Sequence, residues 1–200
     1  MGKQEIVLAS NNSGKVKEVH QLLDDTRFQI LPQSEFDVIE VEETGLTFIE
    51  NALLKARNAA RYSHHPVIAD DSGIEVLALK GRPGIYSARY AGVDASDEEN
   101  INKLVEDIMA LSEADRRARF VCVMVFLKHA EDPTPLISQG IWDGVVITEP
   151  RGEMGFGYDP MFYVPTHDCT SAELSPDIKN QLSHRGQALR QLVKKINLFI

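Results

Sequence analysis

The chain has 200 residues, 43% hydrophobic and 26% charged, with 30 acidic and 21 basic side chains and a net charge of −9. That length can bury a sizeable core without disulfides, and an acidic balance with no basic stripe argues against a nucleic-acid surface while leaving a small anionic ligand open. No apolar run approaches the roughly 18 residues of a membrane span, and the opening MGKQEIVLAS lacks a signal-peptide apolar region, so the expectation is a cytoplasmic protein without membrane contact.

In chain order, Glu5–Ala9 is a short apolar run that breaks at Ser10-Asn11-Asn12-Ser13-Gly14-Lys15. Val16, Val19, Leu22 and Leu23 then recur at helical spacing, which predicts strand, tight loop, helix. Phe28–Pro32 reads as a second strand. Thr47 with Glu50 has the capping-box pattern, and Phe48, Ala52, Ala56 and Ala59 form one apolar face, so a helix is expected over Thr47–Tyr62. Val67-Ile68-Ala69 begins another strand, with Asp70 and Asp71 expected at its end. A second capping box, Ser96 with Glu99, opens a helix to about Ala110. Arg119–Lys128 and Leu136–Thr148 are β-rich runs joined by a turn-prone segment, and they predict an antiparallel pair. A last helix starts near Ser183. Cys122 falls in an apolar run, Cys169 in a polar stretch, and no C-x-x-C spacing suggests zinc. With no repeat and no linker, residues 1–200 read as a single α/β domain, a mixed sheet flanked by helices.

Four segments carry candidate chemistry. Ser10, Asn11, Asn12, Ser13, Gly14 and Lys15 would set backbone N–H groups and a cation at a helix start, an anion-binding arrangement. The alternative is a polar turn that caps the helix, and the segment is no Walker A loop, since Ala9 and Val16 stand where Gly and Ser or Thr are required. Asp70 and Asp71 are costly neighbours unless a cation neutralises them, and such oxygen ligands suit Mg²⁺; a solvated turn is the alternative. Glu42 and Glu43, just before the helix that carries Lys55, could complete a metal site or offset the helix dipole. Gly155-Phe156-Gly157-Tyr158-Asp159 combines glycines with rings able to stack on a base, and His184-Arg185 could read a base edge or a phosphate; packed or solvated turns are the alternatives.

Taken together, ASNNSGK (9–15), EETGLTFIENA (42–52), IADDSG (68–73), PGIYSARYAG (83–92), GFGYDPMF (155–162) and SHRGQAL (183–189) resemble the inosine triphosphate pyrophosphatase family, the XTP/dITP diphosphatases, over nearly the whole chain. The resemblance implies an elongated mixed α/β fold with two lobes and a cleft, usually a homodimer. It implies Mg²⁺-dependent hydrolysis of ITP, dITP and XTP to the monophosphate and pyrophosphate. By position, residues 10–15 would cradle the phosphates with Lys15 as charge partner. Asp71 would be general base and metal ligand with Glu43, Glu42 being the further candidate ligand, and Asp70 would support that cluster. Lys55 would face the phosphates, Ser72 would touch substrate, and Phe156 would stack on the base in a pocket shaped by Gly157, Tyr158 and Asp159. Lys179, His184 and Arg185 would contact base or phosphates. One departure stands out: many relatives read Thr-Gly-Asn where this chain has Ser10-Asn11-Asn12, so Asn11 is expected to take up the backbone geometry that glycine allowed.

Overall fold

The computed structural model describes residues 3–23 and 27–199. Among the described residues seven strands form one sheet in the order β2-β1-β3-β4-β5-β6-β7. They are β1 (Gln4–Ala9), β2 (Phe28–Pro32), β3 (Val67–Val76), β4 (Arg117–Leu127), β5 (Leu136–Val146), β6 (Phe162–Val164) and β7 (Cys169–Thr170). The helices are α1 (Ser13–Leu23), α2 (Phe48–Ser63), α3 (Asp97–Ile108), α4 (Pro176–Leu182) and α5 (His184–Phe199). β1 pairs in parallel with β2 on one side and β3 on the other, whereas β5–β6 and β6–β7 are antiparallel. The expected mixed α/β sheet is therefore present. Its parallel half needs helical crossovers, and α1 and α2 supply them.

Local signals explain most elements. Ile6, Val7, Leu8 and Ala9 are all buried, as a strand covered on both faces requires. The Thr47 side chain accepts the Glu50 N–H to start α2, and His64 in the left-handed conformation ends it just ahead of Pro66. The reciprocal capping box of Ser96 and Glu99 starts α3. β4 and β5 are sheet neighbours joined by residues 128–135, a connection shorter than the dozen or so residues of a parallel crossover.

The strand-end position expected for Asp70 and Asp71 is corrected: β3 runs on to Val76, and both carboxylates lie in mid-strand. Gly73 and Ser72 looked like turn residues, but Ile74 and Val76 beyond them are fully buried and hold the extended chain in the core.

The chain divides into two compact units, each built from several segments. The first comprises residues up to Asp71, Cys122–Gly140 and the stretch from Arg185; the second comprises Ser72–Val121 and Ile141–His184. The core of the first joins Ile6, Leu8, Ile68, Cys122, Met124 and Phe126 of the strands to Val19 of α1 and Leu189 and Leu192 of α5. The second packs Ile74, Val76, Leu104, Ile108, Phe120, Trp142 and Phe162. Trp142 sits in this core against Phe120 and Phe162, so its role is packing. Both cysteines are free thiols, and among the described residues no helix is long and apolar enough to cross a membrane.

Candidate active site

In the first unit, the break after β1 does two jobs. The Asn12 carboxamide oxygen accepts the Lys15 N–H at 2.9 Å and caps α1, and the Ser10 hydroxyl accepts the Asn12 N–H at 3.3 Å. The polar turn caps the helix that follows it, and Ser10 and Asn12 bond to the loop's own backbone. Asn11 departs from expectation. The non-glycine residues with positive φ are Asp37, His64, Lys80, Asp94 and Asp168, so Asn11 needs no left-handed backbone.

The alternation of a strand separates the adjacent carboxylates. Ile68 and Asp70 share one face of β3, the face that packs on α1 and α5. There the Asp70 carboxylate, 1% exposed, lies 3.0 Å from Lys15 Nζ and 3.5 Å from Arg185 Nη2. Arg185 in turn places Nη1 2.5 Å from Glu18 of α1. Asp71 meets α2 instead: its Oδ1 is 3.0 Å from Lys55 Nζ, and its Oδ2 accepts a 3.3 Å hydrogen bond from Asn51. Lys55 also reaches Glu43 at 2.6 Å, while Glu42 is exposed.

These surroundings drive the two acids in opposite directions. Burial alone would raise the Asp70 carboxyl, but Lys15, Arg185 and Lys55 outweigh it and hold the group far below the usual carboxylate range. For Asp71 burial wins: the group is raised, although Lys55 and Lys15 pull it down. Burial opposes the charge on Lys55, yet Asp71, Asp70 and Glu43 together raise its pKa and keep it an ammonium.

The second unit holds the remaining predicted residues. Ser72 opens it, half-buried on β3. In the segment 155–159, Gly155 and Gly157 have φ of +84° and +57°, and a Cβ on Gly155 would collide with the Asp159 carboxylate. Asp159 organises the turn. Its Oδ1 accepts from the Ser171 hydroxyl at 2.7 Å, and its Oδ2 accepts from Lys179 Nζ at 2.6 Å and from the Phe156 N–H at 2.9 Å. Lys179 lies 5.3 Å from the centre of the half-buried Phe156 ring. Gly157 donates its N–H to Asp97, the first residue of α3, at 2.7 Å, and the buried Tyr158 hydroxyl donates to the Ser87 carbonyl at 2.8 Å. His184 is buried, its ring stacked on Phe120 with centroids 4.7 Å apart and planes 9° from parallel.

Predicted residues thus gather in two groups. Lys15, Glu43, Lys55, Asp70, Asp71 and Arg185 form the charged one; Phe156, Gly157, Tyr158, Asp159 and Lys179 form the aromatic one. The sequence reading did not include Asn51, Glu18, Asp97 or Ser171. Only Asn51 had a legible signal, a polar residue on the apolar face of α2, fully buried with its Oδ1 accepting the Gly45 N–H at 2.8 Å.

A mixed sheet flanked by helices, with a capped helix start beside clustered lysines and carboxylates, defines an α/β protein. The Ham1 family model matches residues 6–195. A dITP/XTP pyrophosphatase of Vibrio parahaemolyticus is 57% identical over 194 residues, 97% of each chain. Among solved structures, a HAM1 protein from Coxiella burnetii superposes with a TM-score of 0.90 at 51% identity, covering 97% of this chain and 98% of its own. The Staphylococcus aureus Ham1 protein gives 0.86 at 45% identity, covering 98% and 100%. The chain belongs to the Ham1 family.

Proposed function

We propose that the protein hydrolyses deaminated purine nucleoside triphosphates, ITP, dITP and XTP, to the monophosphate and pyrophosphate, and so removes them from the nucleotide pool. The relatives named dITP/XTP pyrophosphatases support the substrate class. The observation that carries the reading is the separation of Asp70 and Asp71 onto opposite faces of β3, with Asp70 held by Lys15 and Arg185 and Asp71 bonded to Asn51 and to the Lys55 it shares with Glu43.

In this reading the loop 10–15 and Lys15 receive the phosphates at the start of α1, and Lys55 neutralises charge that grows on the phosphate oxygens. Asp71, oriented by Asn51 and Lys55, takes a proton from water as the water oxygen bonds to the α-phosphorus. The bond from that phosphorus to its bridging oxygen breaks, and pyrophosphate leaves. Asp70 does not share this role, since Lys15 and Arg185 keep it ionised. Ser72 contacts substrate. Phe156 stacks on the base, Gly157, Tyr158 and Asp159 shape its surroundings, and Lys179 and His184 contact base or phosphates, while Arg185 serves the phosphates from the charged group. Donors to the 6-oxygen of hypoxanthine or xanthine would be left unpaired against adenine, a mismatch worth up to roughly 10⁴-fold.

Among the described residues no group of three or more His, Cys, Asp or Glu stands ready for a metal ion. The donor chemistry still fits Mg²⁺, which takes one or two carboxylates and completes its shell with water and substrate phosphates. Asp70 is already neutralised by Lys15 and Arg185, so the carboxylates open to an ion are those around Lys55. Asp71 and Glu43, with Glu42 as the alternative, would hold the ion, and it would supply charge neutralisation on the phosphates. A cytoplasmic homodimer in which residues 1–200 act as one functional domain completes the reading; neither unit is a contiguous piece of chain.

The test is incubation of the purified protein with ITP and Mg²⁺ and separation of the products by ion-exchange chromatography. IMP and pyrophosphate in equal amounts are expected. IDP with orthophosphate would replace the reading with a γ-phosphatase, and saturable binding without turnover would make the protein a nucleotide sensor.

A further inference from the structure

The departure at Asn11 has a structural counterpart. Both ends of its carboxamide are engaged: Oδ1 accepts from Gln33 Nε2 at 2.7 Å, and Nδ2 donates to Glu40 Oε1 at 2.9 Å. Gln33 is buried, 8% exposed, in the 3-10 turn that follows β2, so its amide is a fixed anchor. Glu40 belongs to the segment that leads to Glu43. That segment is pinned to α2, because the Asn58 amide donates to the Ile39 carbonyl at 2.7 Å and Glu43 pairs with Lys55. Through one side chain the loop 10–15 is therefore tied to the end of β2 and to the acid-bearing segment before α2. A glycine at position 11 could make neither bond.

We propose that Asn11, Gln33 and Glu40 form a positioning clamp that sets the phosphate-binding loop relative to the segment carrying Glu43, and so governs affinity for the triphosphate. Gln33 and Glu40 are positioning residues; they act through Asn11. The proposal rests on the reading of residues 10–15 as the phosphate loop. Its chemistry is specific. Glu40 can only accept, so the donor must be the Asn11 amide nitrogen, and an acid at position 11 would oppose a carboxylate to a carboxylate. Replacing both residues reverses the polarity of the bond while keeping it, since the amide introduced by Glu40→Gln can donate to the carboxylate introduced by Asn11→Asp.

The experiment compares wild type, Asn11→Asp, Glu40→Gln, Asn11→Asp/Glu40→Gln and Lys15→Ala. It measures KM and kcat for ITP, and binding of the non-hydrolysable α,β-imido analogue of ITP by titration calorimetry. Asn11→Asp is expected to raise KM and analogue Kd about 10-fold, the size of one lost hydrogen bond to a charged group, with kcat within about 2-fold. Adding Glu40→Gln should lower both constants again by at least about 3-fold from their Asn11→Asp values. An unchanged KM in Asn11→Asp, or a rise that Glu40→Gln does not reverse, overturns the clamp. Lys15→Ala separates the two levels. If it leaves analogue binding unchanged, the phosphate-loop reading falls and the clamp with it; if it weakens binding while Asn11→Asp does not, only the clamp falls.

Discussion

Asp71 and Asp159 are both buried carboxylates within bonding distance of a lysine, yet they sit in regions of opposite character. Asp159 has three donors, the Lys179 ammonium, the Ser171 hydroxyl and the Phe156 N–H, which fill its oxygens and fix a glycine-rich turn. Asp71 has two, and one of them, Lys55, is shared with Glu43. The first arrangement is a fastener, in which charge fixes shape. The second is a shared cluster, in which one ammonium balances two carboxylates and no single pair is closed. A buried ion pair therefore says little about function until the hydrogen bonds around it are accounted for.

The comparison can be broken at its strongest point by Asp71→Asn. If Asp71 is the proton acceptor, kcat should fall by about 10²–10⁴-fold, while the thermal unfolding midpoint stays close to wild type. A rate within 2-fold of wild type would strip Asp71 of that role and leave both regions as structural. Asp159→Ala tests the other side. It removes the carboxylate 2.6 Å from Lys179, whose side chain is 8% exposed, and the loss of stability should be about 3–5 kcal/mol by urea unfolding. A loss below about 1 kcal/mol would show that the pair is no fastener.

A smaller effect sharpens the picture at the start of α3. Asp97, which receives the Gly157 N–H, follows the cap residue Ser96. Ser96→Ala should cost about 1 kcal/mol in denaturant unfolding. The cap also has a pH signature. The Ser96 backbone N–H and hydroxyl hold the Glu99 carboxyl below its ordinary value. The folded value is the lower one, so this contribution is present above the unfolded pKa of roughly 4.3 and is lost as pH falls through the folded value. Stability measured from pH 6 down to pH 3 should fall less steeply in Glu99→Gln, which removes the titrating group, than in wild type, and identical slopes would detach the Glu99 charge from the cap.

Much of this molecule was legible before any coordinates. The capping pairs Thr47–Glu50 and Ser96–Glu99 appear in the structure where their spacing put them, and the apolar runs became β1, β4 and β5. These features depend on residues three or four apart or on simple alternation, so neighbouring letters contain the information. The loop 10–15 was visible for the same reason. Only tertiary structure decided the rest. Asp70 and Asp71 became mid-strand residues because Ile74 and Val76 draw β3 onward into the core. Their different surroundings follow from opposite strand faces meeting different helices. Arg185 reaches Glu18 across 167 positions of sequence, and Asn11 reaches Gln33 across 22. Such pairings have no local signature: the chain must close long loops before the partners meet, and packing of the apolar faces, rather than the polar residues themselves, determines which of them do.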